Sequence, residues 1–267
     1  MTYGLIGYPL SHSFSQGYFT DKFAELGLAA THRYHNFAIE QFTGFDGLFA
    51  DHPDLRGLNV TIPHKQNVIP FLDRFDPAAK RIGAVNCIRV EDDGTLTGFN
   101  TDYLGFQADL LDFLQESDWT GKAFGLPTNN DLLETFLEET SALVLGTGGA
   151  SLAVHEALRE LGVSTTSVSR SSGPDRLTYA DLNPEILADH HLIINTTPLG
   201  MAPNTDTFPE LPYAALSAAH FCYDLVYNPN PTAFLQKAAE AGAGTGNGLR
   251  MLHRQAEAGW LIWNRGM

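Results

Sequence analysis

Short apolar runs alternate with stretches whose apolar positions recur every three to four residues, along almost the whole chain. That alternation predicts an α/β protein with largely parallel sheets. TYGLIG (2–7) reads as a first strand; 14–27 follow as a helix with Phe19, Phe23 and Leu26 at helical spacing and Gly27 as its stop. RYHNFAI (33–39) and LRGLNVT (55–61) read as further strands, each with a short helix behind it. AVNCIRV (84–90) is another, and the turn signal DDGT (92–95) predicts a hairpin into LTGFN. Residues 101–115 predict a long helix with Leu104, Ala108, Leu111 and Leu114 on its apolar side.

The pattern breaks at 116–141, where Gly121, Gly125, Pro127, Asn129 and Asn130 interrupt acidic helical fragments, and this segment reads as a surface insertion. A second alternation begins with SALVLGTGGASLAVHEALRELG (141–162) and runs on through VSTTSVS (163–169), HLIINTT (191–197) and HFCYDLVY (220–227). The glycine-dense AEAGAGTGNG (239–248) predicts a hinge, and LRMLHRQAEAGWLIW a final amphipathic helix. The economical organisation is two α/β lobes joined near residues 102 and 247. One domain covers 1–102 and is completed by the C-terminal helix 247–267; a Rossmann-type domain covers 103–246.

Charge and composition remove several classes of function. The 267 residues include 31 Asp+Glu against 16 Lys+Arg, a formal net charge of −15. No Lys/Arg cluster is available to grip a phosphate backbone, so no nucleic acid partner is expected, and anionic membrane surfaces are disfavoured for the same reason. Cys87 and Cys222 lie among apolar residues and read as buried thiols of a reducing compartment. The start, MTYGLIGYPLSHS, lacks a basic segment followed by a long apolar one, and no membrane-length apolar run follows. The expectation is a cytoplasmic protein with small-molecule partners, and a homodimer is the assembly to test.

LVLGTGGAS sets Gly146, Gly148 and Gly149 between a strand and a helix, where free N–H groups and the helix dipole favour a pyrophosphate. The generic dinucleotide fingerprint wants Gly or Ala where this chain has Ser151, so a tight turn without ligand is the competing reading. An acidic residue closing the next strand would accept from the ribose of NAD. Ser169-Arg170-Ser171 stands there instead, a guanidinium between hydroxyls that suits a 2′-phosphate and so NADP(H).

His12, His32, His35, His52 and His64 invite a metal reading, but a strand puts His32 and His35 on opposite faces, and no zinc-type spacing appears. No metal is expected. No Gly-x-Ser-x-Gly elbow points to an esterase-like triad either. More informative are SHSFS (11–15), NVTIPHK (59–65), GAVN (83–86) and GFNTD (98–102), polar stretches at or beyond strand ends, where open α/β sheets gather ligands. Helix capping accounts for Ser11, Asn59 and Asp102 as residue types, though not for the run Asn-Val-Thr-Ile-Pro-His-Lys.

These stretches, together with GYPLSHSFS, LGTGGAS, INTTPLGM (194–201), YDLVYNP (223–229) and GLRMLHRQA (248–256), resemble the shikimate dehydrogenase family in its own motif order over nearly the whole chain. The resemblance implies an N-terminal α/β substrate domain and a Rossmann-type NADP-binding domain. It also implies NADPH-dependent reduction of 3-dehydroshikimate to shikimate, on the route to aromatic amino acids. Position by position, it puts Ser13 and Ser15 on the substrate carboxylate, with Tyr227 on that side. Thr61, Asn86, Asp102 and Gln255 fall on the ring hydroxyls, and Lys65, paired with Asp102, is the catalytic lysine. Gly146, Thr147, Gly148, Gly149, Ala150, Ser169, Arg170, Ser171, Thr197, Leu225 and Gly248 fall on the cofactor, and Met251 near its nicotinamide.

The chain departs from the family pattern in three ways: Gln16 replaces a common proline, Ser-Arg-Ser replaces the commoner Asn-Arg-Thr, and 116–141 is lengthened. Chemically, a lysine beside a ketone can stabilise the developing alkoxide and hand over its proton. Lys65 follows Pro63 and His64, which predicts a helix start whose dipole disfavours the charged lysine while Asp102 favours it. Two alternatives stay open. One is a quinate/shikimate dehydrogenase with broader substrates and NAD use; the other is a sensor that binds NADP(H) or shikimate without turnover and has no need of Lys65 and Asp102.

Overall fold

The computed structural model describes residues 1–265 except 12, 43, 46 and 125–129. His12, Gly125, Pro127 and Asn129 of the sequence reading lie outside the described residues. The chain divides into two compact units, residues 1–101 with 256–267 and residues 102–255.

In the first unit the chain runs β1 (Thr2–Gly7), α1 (Phe14–Glu25), β2 (Arg33–Ala38), α2 (Gly47–Asp51), β3 (Leu55–Val60), β4 (Arg74–Phe75), α3 (Pro77–Ile82), β5 (Cys87–Val90) and β6 (Leu96–Phe99). The sheet order is β2-β1-β3-β5-β6-β4. β1 pairs in parallel with β2 and β3, whereas β5 runs antiparallel to both β3 and β6. All of β1 is buried, as its unbroken apolar run requires. Alternation sends Tyr3 and Leu5 into one cluster, with Phe19 and Phe23 of α1 and Trp263 from the C-terminal helix, and sends Ile6 into another with Phe45, Leu58 and Ile88. The Trp263 indole donates to the Ile88 carbonyl at 3.0 Å and so anchors the chain's end to this sheet.

The second unit holds α4 (Asp102–Glu116), α5 (Trp119–Phe124), α6 (Asn130–Glu138), β7 (Ser141–Leu145), α7 (Gly149–Glu160), β8 (Ser164–Ser169), β9 (Arg176–Thr178), α8 (Pro184–Ala188), β10 (Leu192–Asn195), β11 (Phe221–Asp224), α9 (Ala233–Glu240), β12 (Gly244–Asn247) and the start of α10 (Leu249–Trp263). Its strands pair in parallel in the order β12-β11-β10-β7-β8-β9. The chain moves outward from β7 to β9, then restarts at β10 on the other side. That is the doubly wound Rossmann order, with its switch point between β7 and β10.

Several local expectations are corrected. Residues 244–247 are not hinge but an edge strand: β12 pairs with β11 from Phe221↔Gly244 to Asp224↔Asn247. Its glycines are there for packing, since a Cβ on Gly244 would come within 2.6 Å of the Phe221 ring. The segment 116–141 is not merely surface, because Trp119, Leu133 and Leu137 are buried in the same cluster as Val144 and Phe221. Helix α4 buries Phe106, Asp109, Leu110 and Leu114, with Leu111 packed against the same cluster, and leaves Leu104 exposed, so its apolar side includes Leu114 as expected but turns away from Leu104. Residues 61–68 run through turns to a short 3₁₀ piece at Ile69–Phe71, so no α-helix begins at Lys65.

Candidate active site

At the switch point of the second sheet lies a cavity of about 420 Å³ lined by Gly146, Thr147 and Gly148 after β7, by Ser169, Arg170, Ser171 and Tyr179 beside β8, and by Thr196 to Leu199 after β10. Gly146 has φ +109°, a backbone conformation that L side chains rarely adopt. Gly148 caps α7, and Gly149 and Ala150 form its first turn. A Cβ on Gly148 or Gly149 would meet no protein atom within 4 Å, so the space in front of the helix N-terminus is open. Ser151, the departure from the fingerprint, does no harm: its hydroxyl turns back and donates to the Gly148 carbonyl at 2.6 Å. Free amides, an open approach and a dipole suit a pyrophosphate. Arg170 is exposed at the far wall, and its charge bears on the half-buried Tyr179 phenol, whose pKa burial raises.

The loop after β10 is held by two fully buried polar residues. Asn195 Oδ1 accepts from Thr197 N (3.0 Å) and Thr197 Oγ1 (2.6 Å), while its amide donates to Asp224 Oδ1 at 2.9 Å. Asp224 also accepts from Val226 N (3.0 Å) and Thr232 Oγ1 (2.6 Å), and burial pushes its carboxyl up to about 6. Asp224 therefore shapes the strand end from inside and does not face a ligand. Leu225 N donates to the Asn195 carbonyl at 3.0 Å, and the Leu225 carbonyl lies so near Gly248 that a Cβ there would sit 2.5 Å away. Thr197, Leu225 and Gly248 are thus brought into one neighbourhood, and Tyr227 lies exposed two residues beyond Leu225.

In the first unit the polar stretches gather at one edge of the sheet. SHSFS and NVTIPHK follow β1 and β3, GFNTD follows β6, and GAVN precedes the antiparallel β5, which brings it to the same edge. The segments are stitched together: Val85 N donates to the Lys65 carbonyl (2.8 Å), Asn100 Nδ2 to the Ala84 carbonyl (3.0 Å), and Thr101 N to Asn86 Oδ1 (2.6 Å). Beneath them Tyr34 Oη donates to Asn59 Oδ1 at 2.7 Å and is also hydrogen-bonded by Ser15. Burial holds the Tyr34 phenol well above its ordinary pKa, so it remains a neutral donor. Asn59 is an interior strand residue rather than a cap. Ser13 occupies the N-cap of α1 without a capping bond, and its hydroxyl is buried with no hydrogen-bond partner among the described residues. Thr61, half-buried, is pinned by its backbone N–H to the Ile6 carbonyl at 2.8 Å.

Asp102 opens α4, and Met251 and Gln255 lie on successive turns of α10 in the same unit. A Cβ on Gly105 of α4 would come within 2.8 Å of the Met251 carbonyl and 3.0 Å of Gln255 N, so the two helices touch backbone to backbone. Sequence reasoning missed Tyr179 in the cavity wall and the roles of Asn195, Tyr34 and Asn59. For Tyr179 a signal existed: Thr178 and Asp181 have capping-box spacing, and Thr178 N and Oγ1 both donate to Asp181 Oδ2 at 2.7 Å where a helical turn starts at the aromatic residue. Among the described residues, no three His, Cys, Asp or Glu side chains group as a metal site, and no helix is long and apolar enough to cross a membrane.

Residues 5–88 match the family described as shikimate dehydrogenase substrate binding domain. The chain is 34% identical to a shikimate dehydrogenase (NADP(+)) of Desulforamulus reducens, covering 97% of this chain and 88% of that protein. It is 37% identical to that of Oleidesulfovibrio alaskensis, covering 98% and 88%. Among solved structures it is similar to shikimate 5-dehydrogenase of Thermus thermophilus in complex with NADP(H) and shikimate, with TM-score 0.77, 29% identity, and 99% and 93% coverage.

Proposed function

The chain belongs to the shikimate dehydrogenase family, and we propose that it carries out that family's reaction, the reversible NADPH-dependent reduction of 3-dehydroshikimate to shikimate. It is an oxidoreductase and its cofactor is NADP(H). The observation that carries the reading to this chain's own residues is the end of the sheet at which SHSFS, NVTIPHK, GAVN and GFNTD gather, together with a buried Ser13 hydroxyl that has no hydrogen-bond partner among the described residues. A buried polar group without a partner is costly, and a substrate carboxylate would accept from it.

The cofactor's residues fit the group. The amides at the start of α7 would hold the pyrophosphate, Ser169, Arg170 and Ser171 the 2′-phosphate, and Thr197, Leu225, Gly248 and Met251 the nicotinamide end. Bound there, the cofactor supplies the hydride. The chain supplies position and a proton. Ser13 and Ser15 bind the substrate carboxylate, with Tyr227 on that side, while Thr61, Asn86, Asp102 and Gln255 take the ring hydroxyls. Asn86 is preset for this: its Oδ1 accepts from Thr101 N and its Nδ2 donates one hydrogen to Thr101 Oγ1, which leaves the second amide hydrogen to donate. Lys65 Nζ stabilises the oxygen that becomes the alkoxide and delivers its proton, with Asp102 as its partner in the reaction.

The reading includes action in the cytoplasm, supported by two buried cysteines not joined in a disulfide, and a homodimer, which sedimentation of the pure protein tests. The deciding experiment follows absorbance at the NADPH band with 3-dehydroshikimate and, separately, with 3-dehydroquinate. Turnover of the first alone supports the reading. Equal turnover of both supports the quinate/shikimate alternative, and binding without turnover supports a sensor.

A further inference from the structure

Asp109 is fully buried on α4, and the mechanism above makes no use of it. Its Oδ1 accepts from Arg250 Nε at 2.7 Å; its Oδ2 accepts from Tyr223 Oη at 2.7 Å and from Met251 N at 3.0 Å. Arg250 is clamped in turn, its guanidinium 4.1 Å from the Phe113 ring centre and its Nη1 2.8 Å from both Glu116 oxygens. Three elements meet on this one carboxylate: α4, which opens with Asp102; β11, which leads to Leu225 and Tyr227; and α10, whose first turn carries Met251 and whose next carries Gln255.

A buried carboxylate is a poor choice for stability alone, since an apolar side chain of similar size fills the same space without the desolvation cost. What the carboxylate adds is direction. Its oxygens satisfy a helix N-terminal amide that would otherwise be orphaned, and they fix the rotation of α10 about its axis. The same face of α4 carries Gly105, which lets the α10 backbone approach as closely as it does. Cushion and pin lie one helical turn apart.

We propose that Asp109 is a positioning residue for the reaction, holding α4, β11 and α10 in the register that presents Asp102, Met251 and Gln255 together. The proposal rests on the functional reading above. It goes beyond it by assigning catalytic geometry to a residue that need not touch substrate or cofactor.

The test uses the full-length protein with NADPH and 3-dehydroshikimate. Asp109→Asn keeps the shape but turns N–H groups toward donors. It should lower kcat at least tenfold and leave NADPH affinity, measured by direct fluorescence titration, within about threefold, because the phosphate cavity is untouched. Tyr223→Phe removes one of the three donors and should lower kcat about threefold. Val163→Ala, a cavity in the same core far from these contacts in sequence, controls for stability: at a matched loss of Tm it should leave kcat unchanged. Wild-type kcat in folded Asp109→Asn overturns the proposal, as does an equal kcat loss in Val163→Ala. If Asp109→Asn does not fold, Tyr223→Phe decides, and unchanged kcat there overturns it. A wild-type protein that never consumes NADPH would fault the functional reading instead. Hydrogen exchange at the Met251 amide then decides the positioning role: faster exchange in either variant supports it, and unchanged exchange overturns it.

Discussion

Replacing Arg170 with Ala isolates the one contact that should separate NADPH from NADH. The two cofactors differ by a 2′-phosphate, and Arg170 stands in the cavity wall with Ser169, Ser171 and Tyr179, all able to donate to it. A charge-assisted hydrogen bond contributes ~1.5–3 kcal/mol. Arg170 is exposed, and solvent holds such a contact to the lower end of that range. At about 1.4 kcal/mol per decade this is roughly tenfold in affinity. The chain's net charge of −15 repels the more anionic cofactor, but that field is screened beyond ~8 Å in physiological salt, so the local guanidinium wins. Steady-state assays at saturating 3-dehydroshikimate should show KM for NADPH rising about tenfold in Arg170→Ala, with KM for NADH nearly unchanged. The wild-type preference should also shrink as salt is raised. Wild-type preference for NADH, or equal weakening of both cofactors in the variant, would refute the assignment of the 2′-phosphate to this wall.

Lys65→Ala should lower kcat by about a hundredfold with a much smaller change in KM for 3-dehydroshikimate, since Thr61, Asn86 and Gln255 remain; near-normal kcat would remove Lys65 as the proton donor. Trp119→Ala should cost about 3–5 kcal/mol in urea unfolding, the range for deleting a buried aromatic, whereas a loss under 1 kcal/mol would return the segment to the surface. Burial holds the Asp224 carboxyl up to about 6, so the folded state keeps a proton that the unfolded chain releases near pH 4. Its stabilising share is complete below about pH 4 and declines as pH rises through about 6, by about 3 kcal/mol. Asp224→Asn cannot ionise, so the stability of wild type relative to this variant should fall across that window, and a flat difference would contradict the raised value.

How much of the site could be read in the chain depends on whether local rules and distant packing ask the same thing of a residue. They agree at β1, where an unbroken apolar run is what a doubly covered parallel strand needs, and at LGTGGAS, where glycine serves both the turn and the open approach to a helix N-terminus. They disagree at Gly244, which local rules treat as a breaker but which the Phe221 ring requires for room. They disagree again at Lys65, where Pro63 imitates the first residue of a helix while the backbone is drawn away: the Lys65 carbonyl is claimed by Val85, twenty residues on.

Buried polar residues are the hardest to see, because a single sequence marks Asn195, Asp224, Asn59 and Asp109 as surface types. Each owes its burial to partners distant in sequence: Asn195 to Asp224, Asn59 to Tyr34, and Asp109 to Tyr223 and Arg250. The ligand-facing residues are legible because substrate and cofactor chemistry dictates their type within short motifs. The residues that aim them are dictated by the fold, and only the fold discloses them. Errors in the sequence reading should therefore gather one layer behind the site, and they do: on α4 the apolar stripe passes over Leu104, which is exposed, while Asp109 turns inward, and Asp224 braces the loop after β10 from within.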